Sequence, residues 1–172
     1  MICNKNITVV FLLLASLILA GCFRYSFTGT SIPEDVNSVY IPFFADQSSS
    51  GVGNLSDRLN DALVDRFINQ TRLQLANSQA TADAVLEGSI VRYTNGPFSV
   101  TGEDETSLNE VTISISATFQ FNGEEEPEWS KSFSVSATYD INENPIDGET
   151  TAAAEALGRA ADNMFNDAVS GW

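Results

Sequence analysis

The sequence predicts an α+β fold: a two-layer sandwich with a four-stranded mixed sheet and two helices on one face, in the order β-α-β-β-β-α. Three observations predict it. Residues 111–122, "VTISISATFQFN", alternate apolar and polar side chains without a fault, the pattern of a strand with one buried face. Residues 129–139 repeat that alternation, with only Lys131 interrupting the apolar positions. Two other segments, 55–71 and 151–169, carry their apolar residues at helical spacing instead.

In chain order, "VNSVYIPFF" (Val36 to Phe44) reads as the first strand. It is rich in β-branched and aromatic residues, and Pro42 suggests an edge position or a bulge. After a Ser/Gly loop, the first helix is expected from Leu55 to Thr71, with a core stripe of Leu55, Leu59, Ala62, Leu63 and Phe67. Asn54 stands where a capping residue belongs, and Asp57 lies near the positive end of the helix dipole. "RLQLAN" reads equally as a short strand or a connector. The second strand is expected at Ala84 to Tyr93, parallel to the first, because a helix separates them. Strands three and four are the alternating segments, joined by "NGEEEP", whose Asn-Gly is a strong hairpin signal. The final helix presents Ala153, Leu157, Ala160, Ala161, Met164, Phe165 and Ala168.

The amino terminus has a separate logic. Lys5 precedes an unbroken apolar run, Ile7 to Ala20, which at 1.5 Å per residue makes about 21 Å of helix. That is short for a hydrocarbon core of about 30 Å. A positive start, a short apolar middle and small residues at the exit make a secretory signal peptide. Its exit, "LAGC" (Leu19 to Cys22), resembles the bacterial lipobox, where diacylglycerol is attached to the cysteine and the chain is cut before it. The expected organisation is therefore a cleaved signal at 1–21, a lipidated Cys22 with a tether to residue 35, and a single domain at 36–172. Buried methylenes contribute about 0.8 kcal/mol each, so two or three acyl chains hold a protein to a bilayer essentially permanently. Cys3 leaves with the signal and Cys22 carries lipid, so no thiol is left for a disulfide, a metal site or a nucleophile.

Charge and composition exclude several function classes. The chain carries −15, and removing residues 1–21 takes away Lys5 and no acid, which makes the mature protein −16. Nucleic-acid binding needs Lys and Arg to displace counterions, and this chain argues against it. There is no histidine, so the usual general base and the commonest metal ligand are both missing. No serine sits in a nucleophile-elbow or SxxK-like sequence. "DINENPIDGE" (Asp140 to Glu149) has alternate Asp and Asn like a calcium loop, but Pro145 replaces the turn glycine and Thr151 the bidentate glutamate. The reading is of a non-enzymatic protein without a cofactor or metal. The acidic runs at Glu103–Glu105 and Glu124–Glu128 read as solvated loop charge.

One surface stands out. The outward positions of strands three and four are Thr112, Ser114, Ser116, Thr118, Ser130, Ser132, Ser134 and Ser136. Exposed strand faces usually mix in Lys, Glu and Arg, and here they do not. A solvated sheet is the plain reading. The sharper one is a face that lies against another polar, uncharged surface, such as the lumen of an outer-membrane β-barrel. The third strand, at about 36–46 Å, is expected to outrun a first helix of about 25 Å and leave part of its apolar face open.

"GCFRYSFTGTSIP" from Gly21, "QTRLQL" at Gln70, "LEGSIVRY" at Leu86, "SLNEVTISISATF" at Ser107, "KSFSVSATYD" at Lys131 and the terminal "FNDAVSGW" together resemble the LptE family of lipopolysaccharide-assembly lipoproteins, most of all its Bacteroidota-type branch. That resemblance implies a two-layer α/β lipoprotein on the periplasmic face of the outer membrane. It implies a one-to-one partnership with the LptD-type β-barrel, as a plug and assembly factor of the translocon that inserts lipopolysaccharide into the outer leaflet. Family members that bind lipopolysaccharide use basic residues. The mature chain has seven Lys and Arg against 23 acids and no basic pair at a matching motif, so the resemblance carries over the plug role and leaves lipopolysaccharide open as a direct partner. The alternative is an accessory lipoprotein of another envelope machine, such as a regulator of cell-wall synthesis.

Overall fold

The computed structural model describes residues 32–98, 108–143 and 145–170. Six strands, β1 (Ser38–Tyr40), β2 (Ala45–Asp46), β3 (Gln74–Leu75), β4 (Ala84–Phe98), β5 (Leu108–Phe121) and β6 (Trp129–Asp140), form one mixed sheet. Its order is β3-β1-β4-β5-β6, with β2 also pairing β4. Among the described residues there are two α-helices, α1 (Leu55–Val64) and α2 (Pro145–Ser170).

The expected four-stranded β-α-β-β-β-α sandwich is therefore wrong: the sheet has six strands. Pro42 is one cause. Lacking an N–H, it cannot donate to a ladder; the strand expected over 36–44 ends before it as β1, and a second piece, β2, forms after it at Ala45–Asp46, in the stretch read as the start of the loop. Both pieces pair with β4 in parallel, at Val39↔Ala84 and Ala45↔Ser89, so the interruption takes up one extra residue. The other cause is the ambiguous segment after the first helix, where Gln74–Leu75 adds parallel to β1.

The long meander β4-β5-β6 is antiparallel throughout. Val91 interrupts the β4–β5 ladder as a bulge between Ile90↔Ile115 and Arg92↔Ser114. It lets Val91 and Arg92 both face outward while Ile90 and Tyr93 face in, a device that twists a strand locally. Gly88 is required where β4 crosses β5: a Cβ there would run into the Ser116 carbonyl and the Phe44 ring.

α1 buries Leu55, Leu59 and Leu63, and a π-helical turn over Asp65–Asn69 continues it and buries Phe67. The Gln70 N–H closes that turn on the Asp65 carbonyl at 3.2 Å. Asn54 does not cap with its side chain as expected. It sits in the left-handed region at φ 69°, which Asn tolerates better than most residues, and its carbonyl accepts the Arg58 N–H at 3.0 Å.

α2 begins at Pro145, six residues before the expected start. Its 26 residues make about 39 Å of helix. Ala152, Ala153, Ala156, Ala160 and Ala161 are buried, small enough to bring this helix down onto β5 and β6. Val111, Ile113, Ile115, Ala117 and Phe119 are consequently all covered. Part of the sheet's apolar face was expected to stay open; along β5 it does not, because the longer helix reaches it. Phe98 at the end of β4 is exposed, and the register sets it on the outer face with Thr94.

Candidate functional site

The outer face of the sheet is built from the two alternating strands. Their register sets Thr112 opposite Ser136, Ser114 opposite Ser134, Ser116 opposite Ser132 and Thr118 opposite Ser130. All eight hydroxyl residues singled out in the sequence thus meet as four direct cross-strand pairs, half-buried or exposed. The Thr118 and Ser130 hydroxyls are 3.0 Å apart. The array repeats about every 4.8 Å across strands and 6–7 Å along them.

β4 extends this face with residues that sequence reading did not include. Ser89 pairs with Ser116 and Thr94 with Thr112, while Glu87 and Arg92 pair with Thr118 and Ser114. The bulge hid them. A strand whose inward set changes from even to odd positions at Val91 shows no continuous alternation, and only an even/odd switch at "SIVRY" marks it.

β6 forms an edge of the sheet, and two α2 contacts protect it. Lys131 lies on the helix side and pairs with Asp167 at 2.8 Å. Arg159 donates to the Ser136 carbonyl at 2.6 Å and pairs with Glu155 at 2.6 Å. An inward charge and a covered carbonyl both discourage unwanted strand addition. The indole N–H of Trp129, buried within an aromatic group that includes Phe119 and Phe133, has no hydrogen-bond partner.

The two ends of the sheet differ. At the end where β4 and β5 finish and start, the Tyr93 hydroxyl donates to Glu149 at 2.7 Å. Burial, then the hydrogen bond and charge of Glu149, push that phenol above its ordinary range. The Tyr139 hydroxyl accepts from Asn95 and Asn109 at 2.8 and 3.3 Å, and Gly148 leaves room for the Tyr139 ring. The segment with the calcium-loop likeness makes a turn: Asp140 accepts the Asn142 N–H at 2.8 Å. Among the described residues, no group of three or more His, Cys, Asp or Glu is placed to hold a metal ion.

At the opposite end the chain enters the domain between two charged side chains. Asp83 accepts the Asn37 N–H at 2.9 Å, the Ser38 N–H at 2.9 Å and the Ser38 hydroxyl at 2.8 Å. Ser38 Oγ in turn accepts the Asp83 N–H at 3.1 Å. The Asn37 backbone bond first, and the Ser38 hydroxyl next, hold the Asp83 carboxyl below its usual range. Arg72 donates to the Pro33 carbonyl, to the Ile32 carbonyl at 3.1 Å and to the Asn37 side chain at 3.0 Å. Cys22 lies outside the described residues. Among those residues, no helix is long and apolar enough to cross a membrane.

Solved structures share this architecture at low sequence identity. A protein from Xanthomonas campestris of the DUF330 family superposes with a TM-score of 0.58 at 13% identity, covering 83% of this chain and 90% of that one. A neuraminyllactose-binding hemagglutinin homologue from Helicobacter pylori gives 0.55 at 10%, covering 84% and 89%. Lipoprotein B from Nitrosomonas europaea gives 0.52 at 14%, covering 86% and 90%. At these identities the likeness establishes the fold. A comparison with curated proteins returns no match. The family model for LptE, described as lipopolysaccharide-assembly, matches residues 36–168, nearly the whole of the folded part, and the chain belongs to the LptE family.

Proposed function

We propose that this protein is a non-enzymatic outer-membrane lipoprotein, anchored through Cys22 on the periplasmic face. In this reading it plugs an LptD-type β-barrel one-to-one and helps it assemble within the lipopolysaccharide export translocon. Family membership supports the assembly role. The resemblance of its strand motifs supports a place in the Bacteroidota-type branch. The observation that carries the partner reading is the part of the outer face shared by β5 and β6: four cross-strand hydroxyl pairs, bordered on β4 by Glu87 and Arg92.

Such a face suits a polar lumen physically. Small hydroxyls donate and accept, so they adapt to many partners. They also cost little rotamer entropy when ordered, unlike Lys or Glu. An uncompensated ion costs several kcal/mol to desolvate on entry, so the two β4 charges that border the pairs, Glu87 and Arg92, would need partners or water in the lumen. Lipopolysaccharide contact falls to the barrel in this reading, because the seven cations of the mature chain are outnumbered by 23 acids.

The test is copurification from outer membranes in mild detergent, comparing the native chain with Ser116→Arg and Ser134→Arg. Recovery of a large β-barrel at equal stoichiometry, lost in both variants while their folding is unchanged, is the expected result. Capture of a penicillin-binding protein instead would favour the cell-wall alternative. Barrel recovery unaffected by either arginine would remove the hydroxyl face from the interface.

A further inference from the structure

We propose that Arg72 and Asp83 fix the polarity of the domain on its anchor, with the end that bears the β5–β6 turn toward the lipid leaflet and the β4–β5 hairpin end away from it. The inference rests on lipidation of Cys22 and is independent of the barrel.

The clamp grips backbone as well as side chain. Arg72 holds the carbonyls of Ile32 and Pro33, and Asp83 holds the N–H groups of Asn37 and Ser38. The direction in which the tether leaves is therefore set by two charged groups that belong to the folded domain. Asp83 adjoins the turn after β5: its carbonyl accepts the Asn122 N–H at 2.9 Å, and Asn122 also donates to the Ala82 carbonyl at 2.9 Å. Asp35 and Glu124 line one cleft together with Asp83. Entry point and acidic turn thus share one end of the sheet.

Chain length excludes the opposite orientation. The roughly ten residues from Cys22 to Ile32 span at most about 33–36 Å. The 15 residues of β4 cover about 50 Å. A domain standing with its hairpin end on the leaflet would lift the entry point by the whole length of β4, beyond the reach of the tether. The acids Glu124, Glu125, Glu126 and Glu128 in the turn then face the leaflet and oppose close contact with anionic lipid.

The test uses the full lipidated chain in phosphatidylcholine vesicles. With Cys22 acylated and Cys3 removed, an introduced cysteine is the single labelling site. A fluorophore at Glu126→Cys is expected to transfer energy to a bilayer-embedded acceptor severalfold more efficiently than one at Phe98→Cys. Arg72→Gln and Asp83→Asn are each expected to shrink that ratio toward one while the far-UV spectrum is kept. Equal transfer from both labels, or stronger transfer from Phe98→Cys, overturns the proposed polarity. A ratio unchanged in both clamp variants overturns the role of the clamp. Failure of the chain to bind vesicles at all overturns the anchor reading, and this one with it.

Discussion

Single residues decide whether the layers of this domain can close. Gly88 is the sharpest case, since any side chain there meets the Ser116 backbone and the buried Phe44 ring. A backbone neighbour cannot swing aside, so Gly88→Ala is expected to destabilise the domain by about 1–3 kcal/mol, read as a lower urea midpoint at unchanged slope. Asp83 makes a different prediction. Its folded-state pKa is depressed, so its contribution is present above the unfolded value and disappears as pH falls through the folded one. Stability should drop below about pH 4, and the Asp83→Asn variant should show a flatter loss in pH-dependent thermal melts. An identical acid profile in both proteins would mean that Asp83 does not stabilise the fold. The sequence marks Asp83 only as one acid among 23, because its partners lie more than forty residues away.

Elements differ in how plainly their sequences announce them. β5 and β6 were legible to within a few residues, and so was the hydroxyl face, because side-chain direction alternates with a period of two whatever the rest of the chain does. β2 and β3 were not. Each is two residues long, and such a strand exists only because a neighbouring ladder offers it hydrogen bonds. The edge of β6 carries a prediction at this scale. Arg159 covers the Ser136 carbonyl, and with Arg159→Ala the edge is expected to recruit other strands. Light scattering at 37 °C should show faster self-association than the native domain, with little change in melting temperature. No difference in scattering would show that Lys131 and the exposed serines are protection enough. α2 was recognised but read too short at its start, since Pro145 at a first helical turn looks in sequence like a boundary.

The described residues include no cysteine, so the domain must hold together without an internal disulfide and against its own charge. The core therefore carries most of the stability. Leu157 on α2 is fully buried, and Leu157→Ala is expected to cost about 2–5 kcal/mol through lost burial and the cavity left behind. The chain's net charge of −15 adds self-repulsion. Raising ionic strength from about 0.01 to 0.15 M shortens the Debye length from about 30 to 8 Å, so the melting temperature should rise over that range in NaCl. A fall would show that ion pairs such as Arg66–Asp162 outweigh the repulsion.

By itself the sequence determined the alternating strands, the two apolar helix stripes and the small-hydroxyl outer face, since each is written in local periodicity. The tertiary structure alone decided the sixfold count of strands, the bulge that adds Ser89 and Thr94 to that face, and the clamp at the entry point. Those features depend on pairings between distant residues. Their local signals, a proline here or a two-residue apolar step there, are weaker than the hydrogen bonds that a neighbouring strand supplies once the chain has folded.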